Sequence, residues 1–380
     1  MATKIRPEKI EEYLQTPDKG AELWGHKRIK MTSKERVLKT YEFKLPDRVP
    51  VDFCACEAVY NSLIKKLGVK GQLELMEALH VDFRWARAPW IGPELKAPDG
   101  TPTDYFGIPR AGVGDFGYPV NHPLKNMSSV KDIENYPWPS PDSFDYGVFR
   151  EETEKFEEHA VLGGGWSWFS NVAMDLMGME KFLILMYDEP DLAYRLMERI
   201  CDFFWEVSRR MFEVSKGKLD IFFTGDDYGT QQGPLISLSM WRKLIIPHIK
   251  RLYSLAKSYS LKIMQHSCGS VEVFLPDLIE IDLDAIEPVQ VRARGMDIER
   301  LLKKYRGKLI FHGSIDTQHT LPFGNLEDVK REVLHRIELF KRYRGLVIAP
   351  SQHLLPEIPL ENILVMYETA YEFGKLNNQS

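Results

Sequence analysis

The segment Gln265-His266-Ser267-Cys268-Gly269 has residue types and a spacing that suit part of a metal site. It directly follows an apolar run at residues 261–264. Side chains two positions apart on an extended segment point to the same side, so His266 and Cys268 can reach one ion. Imidazole and thiolate are ligands of Zn²⁺, but catalytic zinc takes about three protein ligands. The pair therefore leaves a second interpretation open, in which His266 hydrogen-bonds a substrate beside a small buried cysteine.

Further ligands can come from other segments that follow apolar runs. We predict that His353, next to Gln352, is the third metal ligand. The cysteine pair at positions 54 and 56 repeats the two-residue spacing and is an alternative. Glu57 also follows the first of these runs.

Two adjacent carboxylates, Asp226 and Asp227, end another apolar run. Such a pair can bind a metal, hold a cation or act as a general base. One of the two can instead cap the turn that follows. We predict that these aspartates and His266 are catalytic.

Aromatic residues follow three glycines at positions 163–165. Glycine lets the backbone approach a ligand closely, and aromatic rings can stack on a flat substrate. We therefore predict a substrate-binding group, with tight strand–helix packing as the alternative. Its predicted members are Trp166, Trp168, Phe169, Tyr228 and Gln352.

These residues require a scaffold that brings strand ends together. Apolar runs alternate with helical patterns at 193–216, 239–258 and 327–342, which indicates a parallel sheet. Eight such units predict a (β/α)8 TIM barrel. An open doubly wound sheet is the alternative, although no G-x-G-x-x-G or Walker motif supports it. The eight predicted strands are residues 49–54, 81–86, 160–165, 219–224, 261–265, 283–287, 309–312 and 346–349.

Two segments do not follow this alternation of strands and helices. Residues 1–47 form a predicted helical extension at the N-terminus. Residues 88–158 are rich in Pro, Gly and Asp and form a predicted insertion between strands two and three. An insertion of this length covers or extends an active site, or it is a packed surface decoration. We predict one domain over residues 1–380.

The bulk composition limits the classes of protein. The chain has 380 residues, 44% hydrophobic, and a formal net charge of −5. This argues against disorder and gives no basic surface for nucleic acid or an anionic membrane. The sequence has no apolar run of the roughly 20 residues that a membrane helix needs. The four cysteines show no disulfide pattern, so we expect reduced thiols and a cytoplasmic location.

Several of these segments resemble the uroporphyrinogen decarboxylase superfamily. The likeness rests on HSCG at 266–269, LIFHGSID at 309–316 and APSQHLLPEIPLENI at 349–363. GDDYGTQQGPLIS at 225–237 and GGGWSWF at 163–169 are similar to other parts of that family. The resemblance covers most of residues 160–372 and continues more faintly to about residue 48. It implies a (β/α)8 barrel, in agreement with the strand count.

The superfamily includes cofactor-free decarboxylases and zinc-dependent methyltransferases that work with a corrinoid protein or a thiol. The decarboxylases hold their substrate carboxylates with an arginine-rich segment after strand one. The matching residues here, 51–58, contain no arginine and include Glu57. This departure argues against the porphyrinogen reaction.

The methyltransferases use an H-x-C pair and a cysteine after strand eight. His266 and Cys268 match the pair, whereas the third position falls on Gln352, a poor zinc ligand. The resemblance therefore implies zinc held with another ligand, such as His353, Asp227 or a first-strand cysteine, or no zinc. We hypothesise a methyltransferase of corrinoid-dependent one-carbon metabolism that acts on a small methylated substrate such as a methoxylated aromatic. The expected partner is a corrinoid protein docking at the barrel mouth, and a homodimer is expected by analogy.

Two alternatives remain. One is a metal-free decarboxylase of uroporphyrinogen or a related carboxylate. Its carboxylates would have to be held by Arg84, Arg87, Arg292 or Arg294. The other is a corrinoid or tetrapyrrole binding module without catalysis.

Overall fold

The computed structural model describes residues 31–112, 117–165 and 168–376 of the chain. Nine strands are assigned within these residues, and seven of the eight predicted runs form one each. The strands are β1 (Phe83–Trp85), β2 (Arg110–Ala111), β3 (Tyr118–Pro119), β4 (Ala160–Gly164), β5 (Ile221–Gly225), β6 (Lys262–His266), β7 (Ala285–Glu287), β8 (Ile310–His312) and β9 (Leu346–Val347).

Seven of the described strands form one parallel sheet in the order β1-β4-β5-β6-β7-β8-β9. Each strand pairs with the next one along the sheet, and the order never reverses. A doubly wound sheet reverses its strand order at a switch point, so this topology argues against that alternative. The curled parallel sheet with its surrounding helices is consistent with a TIM-like barrel.

The first predicted strand, residues 49–54, is an extended segment in which no continuous ladder is assigned. It nevertheless contacts both edges of the sheet. The Asp82 N–H donates to the carbonyl of Val51, and the Asp52 N–H donates to the carbonyl of Ile348. Val51 and Ile348 form an isolated parallel bridge. The segment therefore lies between the residue before β1 and the residue after β9.

Fifteen helices are assigned in the described residues. The predicted helices at 193–216 and 327–342 are confirmed, whereas 239–258 is divided in two at Ile245. Pro247 lies in the first turn of the second part, where its missing N–H costs least. The helices are α1 (Ser33–Tyr41), α2 (Glu57–Leu67), α3 (Gln72–Ala78), α4 (Val130–Asn135), α5 (Tyr146–Lys155), α6 (Phe169–Met177), α7 (Met179–Asp188), α8 (Pro190–Ser215), α9 (Leu238–Leu244), α10 (Ile246–Ser258), α11 (Leu275–Glu280), α12 (Ile298–Lys304), α13 (Thr320–Phe323), α14 (Leu326–Tyr343) and α15 (Leu360–Phe373).

The predicted N-terminal extension is described from residue 31 onward. There α1 begins with a capping box between Thr32 and Glu35. Its buried residues Val37 and Tyr41 belong to a cluster of side chains from the sheet that includes Phe223 and Met264. Helix α1 therefore packs against that sheet cluster.

The predicted insertion between β1 and β4 contains the antiparallel pair β2–β3 and the helices α4 and α5. It packs against the long helix α8 through aromatic rings. The Phe106 ring lies 5.3 Å from that of Phe203 and 5.6 Å from that of Phe204. This contact with the outer helix agrees with the packed decoration among our two interpretations.

No described helix is both long and apolar enough to cross a membrane.

A buried ion cluster lies beside the start of β1. Asp82 is fully buried and accepts hydrogen bonds from Arg36 at 2.6 Å and from Arg48 at 2.8 Å. Its carboxylate also accepts the Val51 N–H at 2.9 Å, which holds the extended segment beside β1. Burial alone would raise the pKa of Asp82, but Arg48 and Arg36 outweigh it and lower that pKa.

We expect Asp82→Asn to lower the free energy of unfolding by about 3–5 kcal/mol, because two buried guanidinium groups lose their counter-charge. Chemical denaturation monitored by circular dichroism measures this loss. The contribution of Asp82 is present above its unfolded-state pKa and disappears as the pH falls through its lower folded-state pKa. The difference between wild type and variant should therefore narrow in acid. The exposed Glu42→Gln is the control, and an equal effect of both variants would contradict this account.

Candidate functional site

The candidate site lies at the carboxyl ends of β5, β6 and β7, where side chains meet in a TIM-like sheet. The register places Gly225, His266 and Glu287 side by side on these three neighbouring strands. His266 and Glu287 are both buried. Asp227 lies two residues beyond β5, and Cys268 lies two residues beyond β6. The strand register alone therefore brings the polar groups of three segments together.

The His266 imidazole is held by Glu287. Its Nδ1 lies 2.5 Å from Glu287 Oε2. This contact leaves Nε2 facing two other groups, at 3.5 Å from Cys268 Sγ and 3.6 Å from Asp227 Oδ1. Glu287 therefore fixes which ring nitrogen faces the carboxylate and the thiol.

Asp227, His266 and Cys268 form a cluster that could hold a metal ion, with ligand atoms all within 4.8 Å of one another. The Cys268 N–H donates to Asp227 Oδ1 at 2.8 Å, which fixes the two loops relative to each other. Zinc bonds of about 2.0 Å to nitrogen and 2.3 Å to sulfur, at a tetrahedral angle, separate those atoms by about 3.5 Å. The observed separation of 3.5 Å between Nε2 and Sγ fits this geometry.

The electrostatics of the cluster favour a cation between its members. Burial would lower the pKa of His266, but Glu287 and Asp227 outweigh it and raise that pKa well above the ordinary value. Burial would raise the pKa of Asp227, but the hydrogen bond and charge of His266 lower it overall. Burial raises the pKa of the Cys268 thiol. A metal ion would displace the imidazolium proton and supply positive charge in its place.

The family model for uroporphyrinogen decarboxylase (URO-D) matches residues 122–373, more than half of the chain. This chain belongs to the URO-D family. Among solved structures, a methyltransferase from Methanosarcina mazei is similar over 90% of this chain and 99% of its own, with 18% identity and a TM-score of 0.67. At that identity the likeness supports the fold alone.

A β-glycosidase from Thermosphaera aggregans covers 80% of this chain and 84% of its own, with 11% identity and a TM-score of 0.40. That score is too low to support an argument about the fold or the site. The search of curated proteins found no match.

Asp226 has different surroundings from Asp227 in this URO-D chain. It is fully buried and accepts the backbone N–H groups of Ser170 at 3.1 Å and Asn171 at 2.9 Å. The Tyr228 hydroxyl also donates to it at 3.2 Å. Burial raises the pKa of Asp226 to about 7. Its contacts are those of a group that anchors the start of α6, and its predicted catalytic role stays a prediction.

The aromatic members of the predicted substrate-binding group are packed in the interior where they are described. Trp168, Phe169 and Tyr228 are each 2% exposed. The Trp168 ring lies 4.3 Å from that of Phe204, on the outer helix α8. These contacts match strand–helix packing, the alternative interpretation, because almost none of the ring surface is left for a substrate. Trp166 lies outside the described residues.

His353 is the predicted metal ligand that the structure does not bring into the cluster. Among the described residues, the grouping of ligand atoms at this site comprises only Asp227, His266 and Cys268. His353 instead follows Gln352 on the loop after β9, and its Nδ1 lies 3.2 Å from the Gln352 side-chain oxygen. The third member of this cluster of possible ligands is therefore Asp227, one of the alternatives that the sequence left open.

Gln352 lies between the cluster and a neighbouring cavity. Its side-chain nitrogen is 3.0 Å from Cys268 Sγ. The cavity has a volume of about 490 Å³ and is lined by Gln352 and His353, among others. This size is within the range of about 300–1,000 Å³ that is usual for small-molecule sites. Among the described residues, neither first-strand cysteine belongs to the cluster of possible ligands, and Cys56 is buried at the start of α2.

Sequence reasoning missed Glu287. The signal was present, because a predicted apolar strand at 283–287 ends on a carboxylate, which is costly to bury without a partner. Its partner could be recognised only from the register that sets it beside His266. Gln290 was also missed, and its side-chain oxygen accepts the Gly269 N–H at 2.8 Å.

The four candidate arginines of the decarboxylase hypothesis differ in position. Arg84 is buried and donates to the carbonyls of Val81 and Phe83, so it has a structural role. Arg292 lines the cavity beside Gln352. Arg87 and Arg294 are exposed and are not part of the cavity wall.

We expect Cys268→Ser to abolish the sulfur-to-metal charge-transfer absorption that appears when Co²⁺ is added to the metal-free wild-type protein. A thiolate ligand is needed for that band. Ultraviolet–visible titration with Co²⁺ measures it. Cys201→Ala, a change at a buried cysteine outside the cluster, is the control and should retain the band. A band of full intensity in the Cys268→Ser protein would contradict the assignment.

Proposed function

We propose that this chain is a zinc-assisted methyltransferase of corrinoid-linked one-carbon metabolism. It takes a methyl group from a small methylated substrate, such as a methoxylated aromatic, and passes it to a corrinoid carried by a partner protein. The observation that carries the proposal is the cluster of Asp227, His266 and Cys268, with Glu287 behind the imidazole. A metal-free decarboxylase has no need of a thiol and an imidazole placed at a zinc-like separation.

The chain's own residues suit zinc by type and placement. Asp227, His266 and Cys268 would hold the ion, and three protein ligands leave the fourth position open, as in catalytic zinc sites. When bound, zinc acts as a Lewis acid that polarises an ether oxygen or activates a thiolate. The Nδ1–H group donates a hydrogen bond to Glu287, which leaves the lone pair on Nε2 available for the ion.

The members of the site differ in their exposure to solvent. His266 and Glu287 are buried, whereas Asp227 and Cys268 are partly exposed. Gln352 donates to the Cys268 sulfur and also lines the cavity, so a substrate in that cavity would lie beside the thiolate. In the transfer, the methyl–oxygen bond breaks and the methyl group joins the acceptor. The oxygen keeps the bonding electron pair and takes up one proton.

We expect Glu287→Gln to weaken zinc binding by about 10-fold to 100-fold, because the amide no longer accepts a strong hydrogen bond from Nδ1. Competition with a chromophoric zinc chelator measures the affinity. Glu272→Gln, a change at a surface carboxylate bonded to Arg300, is the matched control and should leave zinc affinity unchanged. Equal affinities of the wild type and Glu287→Gln would argue against the imidazole as a ligand.

The activity itself is tested by incubating the protein with a methoxylated aromatic and free cobalamin reduced to the Co(I) state. We expect wild type to form methylcobalamin, which is seen by its absorption spectrum. His266→Ala removes a direct ligand and should slow the reaction by more than the about 10-fold to 100-fold typical of losing an outer-shell partner. Cys201→Ala should retain the rate. Protein purified without chelator that carries well below one equivalent of zinc, together with an unchanged rate for His266→Ala, would overturn the proposal.

A further inference from the structure

The cavity of about 490 Å³ beside the metal cluster has a wall of mixed character. It is formed by the loops that follow β7, β8 and β9. One part is apolar and includes Pro322, Phe323, Leu355 and Ile358. Another part carries side-chain amides, hydroxyls and a single guanidinium, that of Arg292. A small apolar molecule with one anionic end would suit such a wall.

Arg292 is held in place by a buried carboxylate. Its Nε donates to Asp316 Oδ2 at 2.6 Å, and Asp316 is 2% exposed. The other oxygen of Asp316 accepts the N–H groups of Gln318 and His319 at 2.8 and 3.1 Å. Backbone N–H groups of its own loop thus fix Asp316, and Asp316 in turn fixes Arg292.

Much of the Arg292 side chain remains exposed to solvent, although Asp316 anchors it. Its side chain is 52% exposed, and the bond to Asp316 uses Nε. A guanidinium has five N–H donors, so both terminal nitrogens can bind a ligand carboxylate in the bidentate geometry typical of such pairs. A side chain ordered before binding loses less entropy when the ligand arrives. This is the arrangement of a preorganised anion-binding group.

Two cavity residues connect this arginine with the metal cluster. Gln290, two residues before Arg292, accepts the Gly269 N–H at 2.8 Å. Gln352 donates to Cys268 Sγ at 3.0 Å. The cavity therefore extends from Gln352, which contacts the Cys268 sulfur, to the Arg292 guanidinium. A ligand in it would contact the side chain next to the cluster at one end and the arginine at the other.

The cavity wall also contains one acidic side chain, Glu357, which is exposed. Its charge repels a carboxylate and attracts an amine. The charges of Arg292 and Glu357 therefore have opposite effects on the binding of an acid and of a cation. An acid requires Arg292 and is disfavoured by Glu357, whereas a cation shows the reverse dependence.

We propose that this cavity is the substrate site and that Arg292 binds a carboxylate of the substrate, which is therefore a small methoxylated aromatic acid. The identification of the bound acid as a methyl donor rests on the proposed function. The binding of the acid itself does not.

Isothermal titration calorimetry of the full-length, zinc-loaded protein tests the proposal with 4-methoxybenzoate and its neutral analogue 4-methoxybenzamide. We expect wild type to bind the acid more tightly than the amide. Arg292→Gln should weaken binding of the acid by about 10-fold to 100-fold, the range for a lost charge-assisted hydrogen bond, and change binding of the amide little. Glu357→Gln should leave binding of the acid unchanged or make it tighter.

Arg294→Gln is the matched control, because Arg294 is an exposed arginine two residues away that does not line the cavity. It should bind the acid like wild type. Three results would each overturn the proposal. They are equal binding of acid and amide by wild type, equal binding of the acid by wild type and Arg292→Gln, and no binding of either ligand.

The outcomes separate this inference from the proposed function. Acid binding that depends on Arg292, in a protein that transfers no methyl group, would retain the site and reject the methyltransferase. Methyl transfer from neutral methoxy compounds, with no effect of Arg292→Gln, would retain the methyltransferase and reject the carboxylate site.

Discussion

The site depends on the contact of 2.5 Å between His266 Nδ1 and Glu287 Oε2. It joins two neighbouring strands at paired register positions, so it is built by the sheet rather than by a loop. A buried imidazole or a buried carboxylate is costly alone, and each is stabilised here by the other. With Nδ1 committed, Nε2 faces Asp227 and Cys268. The contact that offsets the cost of burying both groups therefore also sets the positions of the atoms available to a metal.

The two ends of the sheet have different tasks, as is usual in TIM-like barrels. Beside the start of β1, Asp82 holds Arg36, Arg48 and the backbone of Val51, and α1 packs against a cluster of sheet side chains. These groups hold the extended segment 49–54 beside β1. At the carboxyl ends lie the possible metal ligands Asp227, His266 and Cys268 and the neighbouring cavity. The packing that fixes the strands is therefore separate from the residues proposed to do the chemistry.

Much of the architecture and part of the site could be predicted from the sequence. Alternating apolar runs located seven strands, and the two-residue spacing placed His266 beside Cys268. The rest depends on long-range geometry. Glu287 is read as a strand end until the register pairs it with His266. His353 was the predicted third ligand and Asp227 an alternative, and only the paths of the loops bring Asp227 rather than His353 into the cluster. The glycines before Trp168 are compatible with either a substrate-binding residue or strand–helix packing. Only its contact with Phe204 on α8 shows that it packs in the interior.

The central claim is that Cys268, His266 and Asp227 bind one zinc ion. X-ray absorption spectroscopy at the zinc edge, on full-length protein purified without chelator, tests it most directly. We expect about one equivalent of zinc with a single sulfur ligand and otherwise nitrogen and oxygen ligands, and loss of the sulfur contribution in Cys268→Ser. A first shell without sulfur in the wild type, or an unchanged shell in the variant, would contradict the claim.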